Sequence, residues 1–376
     1  MDQRHFFATT AKGLEDILAE EFRQLGIAVT SVEKGGVRFL GDTAAWYRAN
    51  LWLRTAQRIL MPIAEFSCTT PQQLYDGVRS VNWPAYITPD MTFAVDGKLR
   101  DSALTHSGFV ALKTKDAIAD AMRDSCGRRP NVDTRDPDLR VNVHLFRNHC
   151  TVSLDTSGTG LDRRGYRMDT GEAPLRETLA AALVYLSGWD GKVPLVDPMC
   201  GSGTIPIEAS LMASRRPPGL MRERYGFHRW PGFDRPLWSK LVREAKEQVA
   251  PNIPGAVFGQ DVSARAIANA CENSKKAGVD ALVTFKKGDM LELTPPSPPG
   301  ILVFNPPYGV RLGEIEVLQL LYKKIGDVLK QRCTGYTAYL LTGNPELSKW
   351  IGLKAARRVV LFNGPIECRL LKYELY

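Results

Sequence analysis

The sequence feature that most constrains the fold is a glycine loop between a strand-like segment and a helix-like segment. The loop is Asp197–Thr204 (Asp-Pro-Met-Cys-Gly-Ser-Gly-Thr), and it directly follows the apolar run Val193–Val196. Gly201 and Gly203 let the backbone turn sharply and leave room for a ligand. The helix that follows offers unpaired backbone N–H groups to an anion. A strand, a glycine loop and a helix in this order predict a doubly wound α/β domain.

Further strands and helices alternate around this loop. The predicted strands are Val193–Val196, Ala256–Gly259, Leu282–Phe285, Ile301–Phe304 and Thr337–Leu341, and the predicted helices include Ala264–Ala277 and Val317–Gln331. Near the end of the chain, Asn363-Gly364 separates two apolar runs, which favours a β-hairpin. The C-terminal part, 157–376, is therefore predicted to be a Rossmann-like α/β domain whose mostly parallel sheet ends in an antiparallel hairpin.

The first 156 residues predict two smaller α+β units. The pattern of the first unit, 1–64, is typical of a ferredoxin-like fold, with the strand Phe6–Ala8, the helix Gly13–Leu25, the strands Val29–Lys34 and Val37–Leu40, and the helix Ala44–Leu60. The second unit, 65–156, contains a helix over Lys113–Arg123 and closes with a hairpin whose turn is Arg147-Asn148-His149. Neither unit shows a catalytic constellation.

The basic charge is concentrated in the C-terminal part of the chain. Residues 1–156 carry 19 basic and 19 acidic side chains, whereas 157–376 carry 30 and 22, so the whole formal charge of +8 lies in the latter. A basic excess of this kind is compatible with a polyanionic partner such as RNA.

Several function classes are disfavoured by composition. The seven cysteines are scattered without a Cys-x-x-Cys pair, and the five histidines show no metal-ligand spacing. No apolar run approaches the ~18 residues of a membrane span, and the N-terminus lacks the pattern of a signal peptide. We therefore expect a cytoplasmic protein without a metal or a membrane partner.

The glycine loop and two later strand ends predict a cofactor site. The loop and helix N-terminus suit the carboxylate of a methionine moiety, and Asp197 suits its ammonium group. Asp261 is placed to hold a ribose diol or to cap the next helix. Asp289 is placed to meet an adenine amino group or to cap a turn. Pro206 stands where a dinucleotide fingerprint has its third glycine, which disfavours a nicotinamide cofactor. The candidate cofactor-binding residues are Asp197, Pro198, Cys200, Gly201, Ser202, Gly203, Thr204, Asp261, Asp289 and Met290.

The tetrapeptide after a later strand, Asn305-Pro306-Pro307-Tyr308, predicts the chemistry. The amino group of a base is a poor nucleophile because its lone pair is delocalised into the ring. The Asn305 side-chain oxygen and the Pro306 carbonyl can accept its two N–H bonds, orient the nitrogen and stabilise the developing charge. Pro306 and Pro307 fix the backbone, and Tyr308 offers a ring for stacking a flipped-out base. These four residues are the candidate catalytic residues.

The chain resembles a known family in several strings besides these two motifs. The strings are Leu154-Asp-Thr-Ser-Gly158, Arg164-Gly-Tyr-Arg167, Ala173-Pro-Leu-Arg-Glu177, Asn50-Leu-x-Leu-Arg54 and Lys115-Asp-Ala-Ile118. Together they are similar to the THUMP-domain RNA methyltransferases of the RlmL (YcbY) type, also described as N6-adenine-specific DNA methylases. The resemblance implies a ferredoxin-like plus THUMP module that captures RNA, and a catalytic domain that uses S-adenosyl-L-methionine.

The reaction implied by the resemblance is N2-methylation of a guanine in 23S rRNA. A single methyltransferase activity is expected, because the chain closes after the predicted hairpin. Alternatives within the class are guanine-N2 methylation of tRNA and adenine-N6 methylation of DNA. A catalytically silent RNA-binding or assembly factor is an alternative from another class, disfavoured by the intact Asn305–Tyr308 motif and glycine loop. An oxidoreductase is disfavoured by Pro206.

Basic side chains in three places are candidates for RNA binding. The stretch 215–235 mixes arginines with Tyr225, Phe227, Trp230 and Phe233, a composition expected for contacts to phosphates and unstacked bases. The alternative is a solvated loop whose aromatic residues attach it to the domain. The candidate RNA-binding residues are Lys113, Lys115, Arg163, Arg164, Arg167, Arg222, Arg224 and Arg229.

Overall fold

Two β-sheets organise the molecule, one built from the first 155 residues and the other from the remainder. The computed structural model describes residues 3–167, 175–309 and 315–376. Among these residues, the first sheet has eight strands and the second has seven.

The first unit forms one end of the eight-stranded sheet. Its elements are β1 (Arg4–Thr10), α1 (Glu15–Gln24), β2 (Ala28–Glu33), β3 (Gly36–Gly41), α2 (Thr43–Trp52) and β4 (Ala56–Ser67). Its strands lie in the order β2-β3-β1-β4, and every pair is antiparallel. The helix expected over Ala44–Leu60 is therefore wrong in its second half: α2 ends at Trp52, Leu53 is extended, and β4 begins at Ala56.

The second unit continues the same sheet. Its elements are α3 (Pro71–Arg79), β5 (Thr92–Arg100), α4 (Ser107–Cys126), β6 (Asn131–Val132), β7 (Leu139–Phe146) and β8 (His149–Asp155). The predicted hairpin joins β7 to β8 through Arg147 and Asn148, which both have positive φ. This conformation matches the right-handed twist of the flanking strands.

Strand β4 belongs to both units. It pairs with β1 on one side and with β8 on the other, and it runs through the expected boundary between residues 64 and 65. Its register with β8 shifts between Pro62 and Ala64, and such a bulge is where a proline fits into a central strand. The two N-terminal units therefore share one continuous sheet.

The second sheet has the predicted doubly wound topology. Its domain contains α5 (Glu177–Ser187), β9 (Leu195–Asp197), α6 (Thr204–Ala213), α7 (Arg235–Glu247), β10 (Val257–Asp261), α8 (Ala264–Ala277), β11 (Val283–Lys287), β12 (Gly300–Phe304), α9 (Ile315–Arg332), β13 (Tyr336–Thr342), β14 (Arg357–Asn363) and β15 (Ile366–Glu374). The strands lie in the order β11-β10-β9-β12-β13-β15-β14. Strands β9 to β13 are parallel, whereas β14 and β15 form the terminal antiparallel hairpin, with Gly364 at positive φ in its turn.

The segment between α6 and α7 packs on the first unit rather than on its own sheet. Tyr225 and Phe227 are buried in the core of the N-terminal module. The ring of Phe227 lies 4.7 Å from that of Tyr47 and 4.9 Å from that of Trp46, both on α2. Trp230 and Phe233 pack against the same core. They too were predicted from the sequence to stack on bases. The sequence-based assignment of these four rings to unstacked RNA bases is therefore wrong for the two buried ones, since they attach the segment to the protein.

Candidate functional site

The glycine loop lies at the carboxyl end of β9, between β10 and β12. Gly203 has φ +83°, and a Cβ there would lie 2.8 Å from the Phe285 ring and 2.9 Å from the Ala270 side chain. Gly201 has φ +54°, and a Cβ there would meet nothing within 4 Å. Packing therefore requires glycine at 203, whereas the space beside Gly201 is open to a ligand that approaches the backbone.

Asp261, at the end of β10, orders the glycine loop. Its Oδ2 accepts a hydrogen bond from Gly201 N at 2.9 Å, and its Oδ1 accepts one from Ser263 N at 2.9 Å. The helix cap of α8 is Ser263, whose hydroxyl accepts from Ala266 N. Of the two roles open to Asp261 in the sequence, the helix cap thus belongs to Ser263. A carboxylate that accepts two bonds retains lone pairs for further donors.

Asp197 ends β9 and is buried beneath the loop. Its Oδ1 accepts a hydrogen bond from Met199 N at 3.1 Å. Burial raises the pKa of its carboxyl well above the usual range, and the charge of Asp261 raises it further, while the Met199 bond acts in the opposite direction. A cationic group beside Asp197 would favour its ionised form. The position therefore suits an ammonium group.

The loop residues between and around the glycines also have defined surroundings. Pro198 is buried, as is Cys200, and burial raises the pKa of the Cys200 thiol well above its usual range. The Ser202 carbonyl accepts a hydrogen bond from the Asn273 side chain at 3.0 Å. The segment is thus held on both sides by protein, with its N–H groups at the start of α6.

Gln260, which was not predicted from the sequence, lies beside Asp261 at the end of β10. It links the glycine loop after β9 to Asp289 after β11. Its carbonyl accepts from Cys200 N at 2.8 Å, and its side chain donates to the Asp289 carbonyl at 2.8 Å. Asp289 itself caps the short 3-10 helix Met290–Glu292 by accepting from Leu291 N. Met290 is buried in the core. The only signal for Gln260 was its position directly before Asp261.

The Asn305–Tyr308 motif follows β12, next to the glycine loop. The side-chain oxygen of Asn305 is buried and has no hydrogen-bond partner among the described residues. Pro306 is buried, Pro307 is exposed, and the Tyr308 ring lies against Gly343, where a Cβ would approach it to 2.7 Å. Burial raises the pKa of the Tyr308 hydroxyl, and a hydrogen bond with Asn363 acts in the opposite direction. An acceptor that is buried and unpaired among the described residues is available to a donor on a bound ligand.

Arg167, a candidate for RNA binding, contacts the glycine loop instead. Its Nη2 donates to Thr204 Oγ1 at 2.7 Å and to the Leu175 carbonyl at 2.8 Å. Its Nε lies 3.7 Å from the Glu177 carboxylate. The neighbouring residues Ala173 and Pro174, quoted above for the resemblance, lie outside the described residues. Arg167 precedes α5 in the chain. Its side chain therefore binds Thr204, the first residue of α6.

Arg164, a second candidate for RNA binding, is buried in the protein. Its side chain is 1% exposed, and its guanidinium donates to the Leu161 carbonyl at 2.7 Å and to the Arg54 carbonyl. Its Nε lies 3.4 Å from Glu208 Oε1 on α6. A guanidinium buried in this way cannot reach a phosphate, so the predicted RNA contact is wrong for Arg164.

Arg222 and Arg163, two further candidates for RNA binding, differ in whether the protein holds their side chains. The guanidinium of Arg222 donates to the carbonyls of Gly160 and Ser157, so it holds the segment that joins the two parts of the molecule. Burial lowers the pKa of Arg222. Arg163 is exposed, and no side-chain partner for it is found in the parts of the chain that the structure describes. Arg222 therefore has a structural role, whereas Arg163 presents its charge to solvent.

Arg224, Arg229 and the two lysines have partners at the surface. Arg224 and Arg229 are paired with carboxylates of the second unit. On α4, Lys113 Nζ lies 4.6 Å from the centre of the Tyr75 ring, and Lys115 Nζ lies 3.0 Å from Asp116. Residues two positions apart on a helix point to nearly opposite sides. Lys113 and Lys115 therefore do not form one patch.

The described residues contain neither a metal-binding cluster nor a membrane span. Within 3–167, 175–309 and 315–376, no group of three or more His, Cys, Asp or Glu side chains is arranged to hold a metal ion. In the same ranges, no helix is both long and apolar enough to cross a membrane.

The fold and the site together define a class I methyltransferase: a glycine loop after the first strand, carboxylates after the next two, and an Asn-Pro-Pro-Tyr motif after the fourth. The chain belongs to the family of RMKL-like methyltransferase domains, whose family model matches residues 164–372. A THUMP domain matches residues 68–155, and the RlmL ferredoxin-like domain matches residues 5–60.

Relatives of the whole chain carry related descriptions. The chain is 42% identical to "Putative RNA methyltransferase slr0064" of Synechocystis sp., over 99% of this chain and 97% of that protein. It is 43% identical to "Ribosomal RNA large subunit methyltransferase K/L" of Methylococcus capsulatus, over 99% of this chain and 51% of that protein. The chain thus spans about half the length of the K/L relatives.

Solved structures share the complete architecture. The crystal structure of SMU.472, described as a putative methyltransferase complexed with SAH, is 30% identical with a TM-score of 0.91, and the match covers 100% of this chain and 99% of that one. A predicted N6-adenine-specific DNA methylase from Listeria monocytogenes is 33% identical with a TM-score of 0.90, over 100% of this chain and 97% of that one.

Proposed function

We propose that this protein transfers the methyl group of S-adenosyl-L-methionine to the N2 amino group of a guanine in large-subunit ribosomal RNA. The observation that carries the proposal is the side-chain oxygen of Asn305, which is buried beside the glycine loop and has no hydrogen-bond partner within residues 3–167, 175–309 and 315–376. The family membership supports the methyl transfer, and the relatives described as large-subunit rRNA methyltransferases support the RNA class.

The residues present fit this cofactor. Open space beside Gly201 allows a ligand to approach the loop closely, and Asp197 is a buried carboxyl suited to an ammonium group. Thr204 begins a helix whose N-terminal N–H groups favour a carboxylate. Asp261 and Asp289 would face the ribose and the adenine. When bound, the cofactor supplies an electrophilic methyl group on a sulfonium centre.

The protein's part in the reaction is to position and stabilise the attacking amine. Asn305 Oδ1 and the Pro306 carbonyl each accept one N–H bond of the guanine amino group, which directs the nitrogen lone pair toward the methyl group. As the new C–N bond forms and the C–S bond breaks, positive charge grows on this nitrogen, and both oxygens stabilise it. An amide oxygen is too weak a base to remove the proton, so the methylated amine loses one proton to water. Tyr308 holds the base by stacking.

The RNA is proposed to lie against exposed basic residues near the joint between the two parts. Arg163 supports this because it is exposed, and Arg224 and Arg229 support it because both pair with the exposed carboxylate of Asp136. Lys113 and Lys115 on α4 are proposed as contacts of the capture module.

Two measurements test the proposal. Calorimetry with S-adenosyl-L-methionine and with NAD should give binding of the former only. Mass spectrometry of rRNA and tRNA nucleosides from a strain that lacks the protein should show the loss of N2-methylguanosine from large-subunit rRNA alone. Loss of N6-methyladenosine, or of a tRNA nucleoside, would replace the proposed substrate, and an unchanged nucleoside content would reject it.

A further inference from the structure

A groove rich in arginine separates the second unit from the catalytic domain. Its volume is about 1200 Å³, and its walls come mainly from residues 135–140, 158–165 and 221–229, together with Gln57, Arg58 and Arg176. Nine arginines and four carboxylates line this arginine groove, so its formal charge is positive. A row of cations in a cleft is the arrangement that attracts a phosphodiester backbone.

One end of the arginine groove lies near the proposed base-binding residues. Arg176 lines the groove, and its backbone N–H contacts the side-chain oxygen of Asn363 at 3.4 Å. Asn363 is the hydrogen-bond partner of Tyr308. A strand that follows the groove toward Arg176 therefore arrives beside the Asn305–Tyr308 motif.

An ion-pair cluster bridges the walls of the groove. Arg229 Nη1 lies 2.7 Å from Asp138 Oδ1, and Arg229 Nη2 lies 3.4 Å from Asp136 Oδ2. Arg224 pairs with the other oxygen of Asp136. The arginines come from the segment between α6 and α7, whereas the aspartates belong to the second unit. Asp136 thus presents its two oxygens to two guanidinium groups, as one phosphate would.

The ion pairs made by Asp136 are exposed and therefore easily exchanged, whereas Asp138, the other partner of Arg229, is 21% exposed. The side chains of Asp136 and Arg224 are 56% and 43% exposed. Solvent screening makes pairs of this kind weak, so a competing anion replaces such a carboxylate at little cost. Arg222, in contrast, is bound to backbone carbonyls that no phosphate can displace.

Asp136 and Asp138 differ in how firmly the protein holds them. Asp138 Oδ2 accepts from Thr92 N at 2.8 Å and from the Thr92 hydroxyl at 3.0 Å, so this carboxylate is fixed. Among the described residues, the side chain of Asp136 contacts only the two arginines. Arg224 and Arg229 lower the pKa of Asp136, and the hydrogen bond from Arg224 contributes most. Asp136 is therefore ionised near neutral pH and acts on the two arginines as an anion.

We propose that Asp136 occupies the place of an RNA phosphate in the free protein, and that RNA entering the arginine groove takes over Arg224 and Arg229. This inference rests on the proposed action on RNA. The exchange makes binding depend on the local competition between carboxylate and phosphate. Strands that place a phosphate at this point are therefore favoured over those that do not.

The test is the RNA affinity of the full-length Asp136→Asn variant. The probe is an in vitro transcript of large-subunit rRNA, titrated over a series of potassium chloride concentrations. Because the variant lacks the competing charge, we expect affinity to rise about two- to fivefold at low salt. The control is Asp90→Asn, which removes an exposed partner of Arg128 in the same unit, outside the groove, and should leave affinity unchanged.

A second pair of variants separates release of the arginines from a general gain of positive charge. Arg224→Gln with Arg229→Gln should weaken binding and reduce the salt slope by about 1.4 if both arginines contact phosphate. Adding Asp136→Asn to this double variant should then give little further gain. A gain that persists without the arginines would overturn the proposal, as would an affinity of Asp136→Asn equal to or below that of the parent.

Methyl transfer to the same transcript distinguishes a failure of the proposed exchange from a failure of the proposed function. If the parent protein methylates the transcript while Asp136→Asn binds no more tightly, the exchange is refuted and the proposed function stands. If the parent neither binds nor methylates RNA, both are refuted.

Discussion

At the scale of single residues, Asn305 carries the proposed chemistry. Its side-chain oxygen is a buried acceptor without a partner in the described chain, at the end of a strand beside the glycine loop. A stable protein pairs such an atom unless a ligand does so. The sequence predicted this residue because Asn-Pro-Pro-Tyr has a recognisable form. It did not predict the positions of Gln260 and Arg167, since the partners of a side chain depend on distant parts of the chain.

The Asn305→Ala variant should lose methyl transfer while it keeps cofactor binding. We expect the single-turnover rate to fall at least about 100-fold, in line with the removal of other positioned hydrogen-bonding groups. The cofactor dissociation constant should change by less than about twofold, because Asn305 is proposed to contact the amine. Asn82→Ala is the control, since Asn82 is exposed and its side chain forms no capping bond. A near-normal rate for Asn305→Ala would remove this residue from the mechanism.

The two glycines of the loop should respond differently to alanine. Gly203→Ala brings a Cβ within 3 Å of Phe285 and Ala270 at φ +83°, so it combines backbone strain with overpacking. We expect the free energy of unfolding to fall by about 3 kcal/mol. Gly201→Ala meets open space, so its cost is the strain alone, about 1–2 kcal/mol, while cofactor affinity falls. Urea unfolding and calorimetry measure both quantities. Equal losses of stability would show that the loop relaxes around either side chain.

At the scale of secondary-structure elements, the sequence predicted the catalytic domain better than the N-terminal module. Its parallel strands are short apolar runs followed by glycine or acidic residues, and the closing hairpin is marked by Asn363-Gly364. Strand β4 was missed because Ile59 and Leu60 continue the apolar spacing of α2. Nothing local in the sequence reports that Leu53 turns the chain into an extended conformation. Aromatic residues 225 and 227 were misassigned because burial against α2 is a long-range property.

The segment between α6 and α7 should make the protein sensitive to acid through His228. Its ring packs against Phe227 and Trp238, and burial lowers its pKa to about 4, with smaller effects from Arg235 and Arg224. Between about pH 6.5 and pH 4, the unfolded chain therefore binds a proton that the folded chain does not. The stability is fully present above about pH 6.5 and is lost as the pH falls toward 4.

The measurement compares the parent with His228→Gln in urea unfolding across this pH range. The free energy of unfolding of the parent, relative to the variant, should fall by about 2–3 kcal/mol from pH 7 to pH 4. The comparison cancels the titration of other groups, such as the buried Glu21 and Asp155, whose pKa values are raised by burial. A constant difference between the two proteins would show that the pKa of His228 is the same in the folded and the unfolded state.

At the scale of the whole molecule, buried polar contacts join the N-terminal module to the catalytic domain. Arg54 donates to the carbonyls of Leu211 and Arg216, and Arg164 donates to the Arg54 carbonyl and to Glu208. Two of these contacts are to Leu211 and Glu208 on α6, the helix that begins at the glycine loop. The glycine loop is therefore held in part by the N-terminal module.

Removal of the charge of Glu208 should destabilise the molecule as a whole. Glu208 is fully buried, and its Oε1 contacts both Arg164 and the Tyr166 hydroxyl. Glu208→Gln leaves the Arg164 guanidinium buried without its nearest counter-charge, so the free energy of unfolding should fall by about 3–5 kcal/mol. Glu272→Gln removes the exposed partner of Lys275 on α8 and should cost less than about 1 kcal/mol. Similar losses for the two variants, measured in urea, would contradict this role of Glu208.

Strand β4 also determines how the chain can be divided. Its twelve residues extend over about 40 Å. A cut at the expected boundary between residues 64 and 65 would sever the strand, leaving unpaired edges on both fragments. We therefore expect neither unit to fold alone after such a cut, whereas a fragment that keeps this sheet intact begins before β1 and extends past β8.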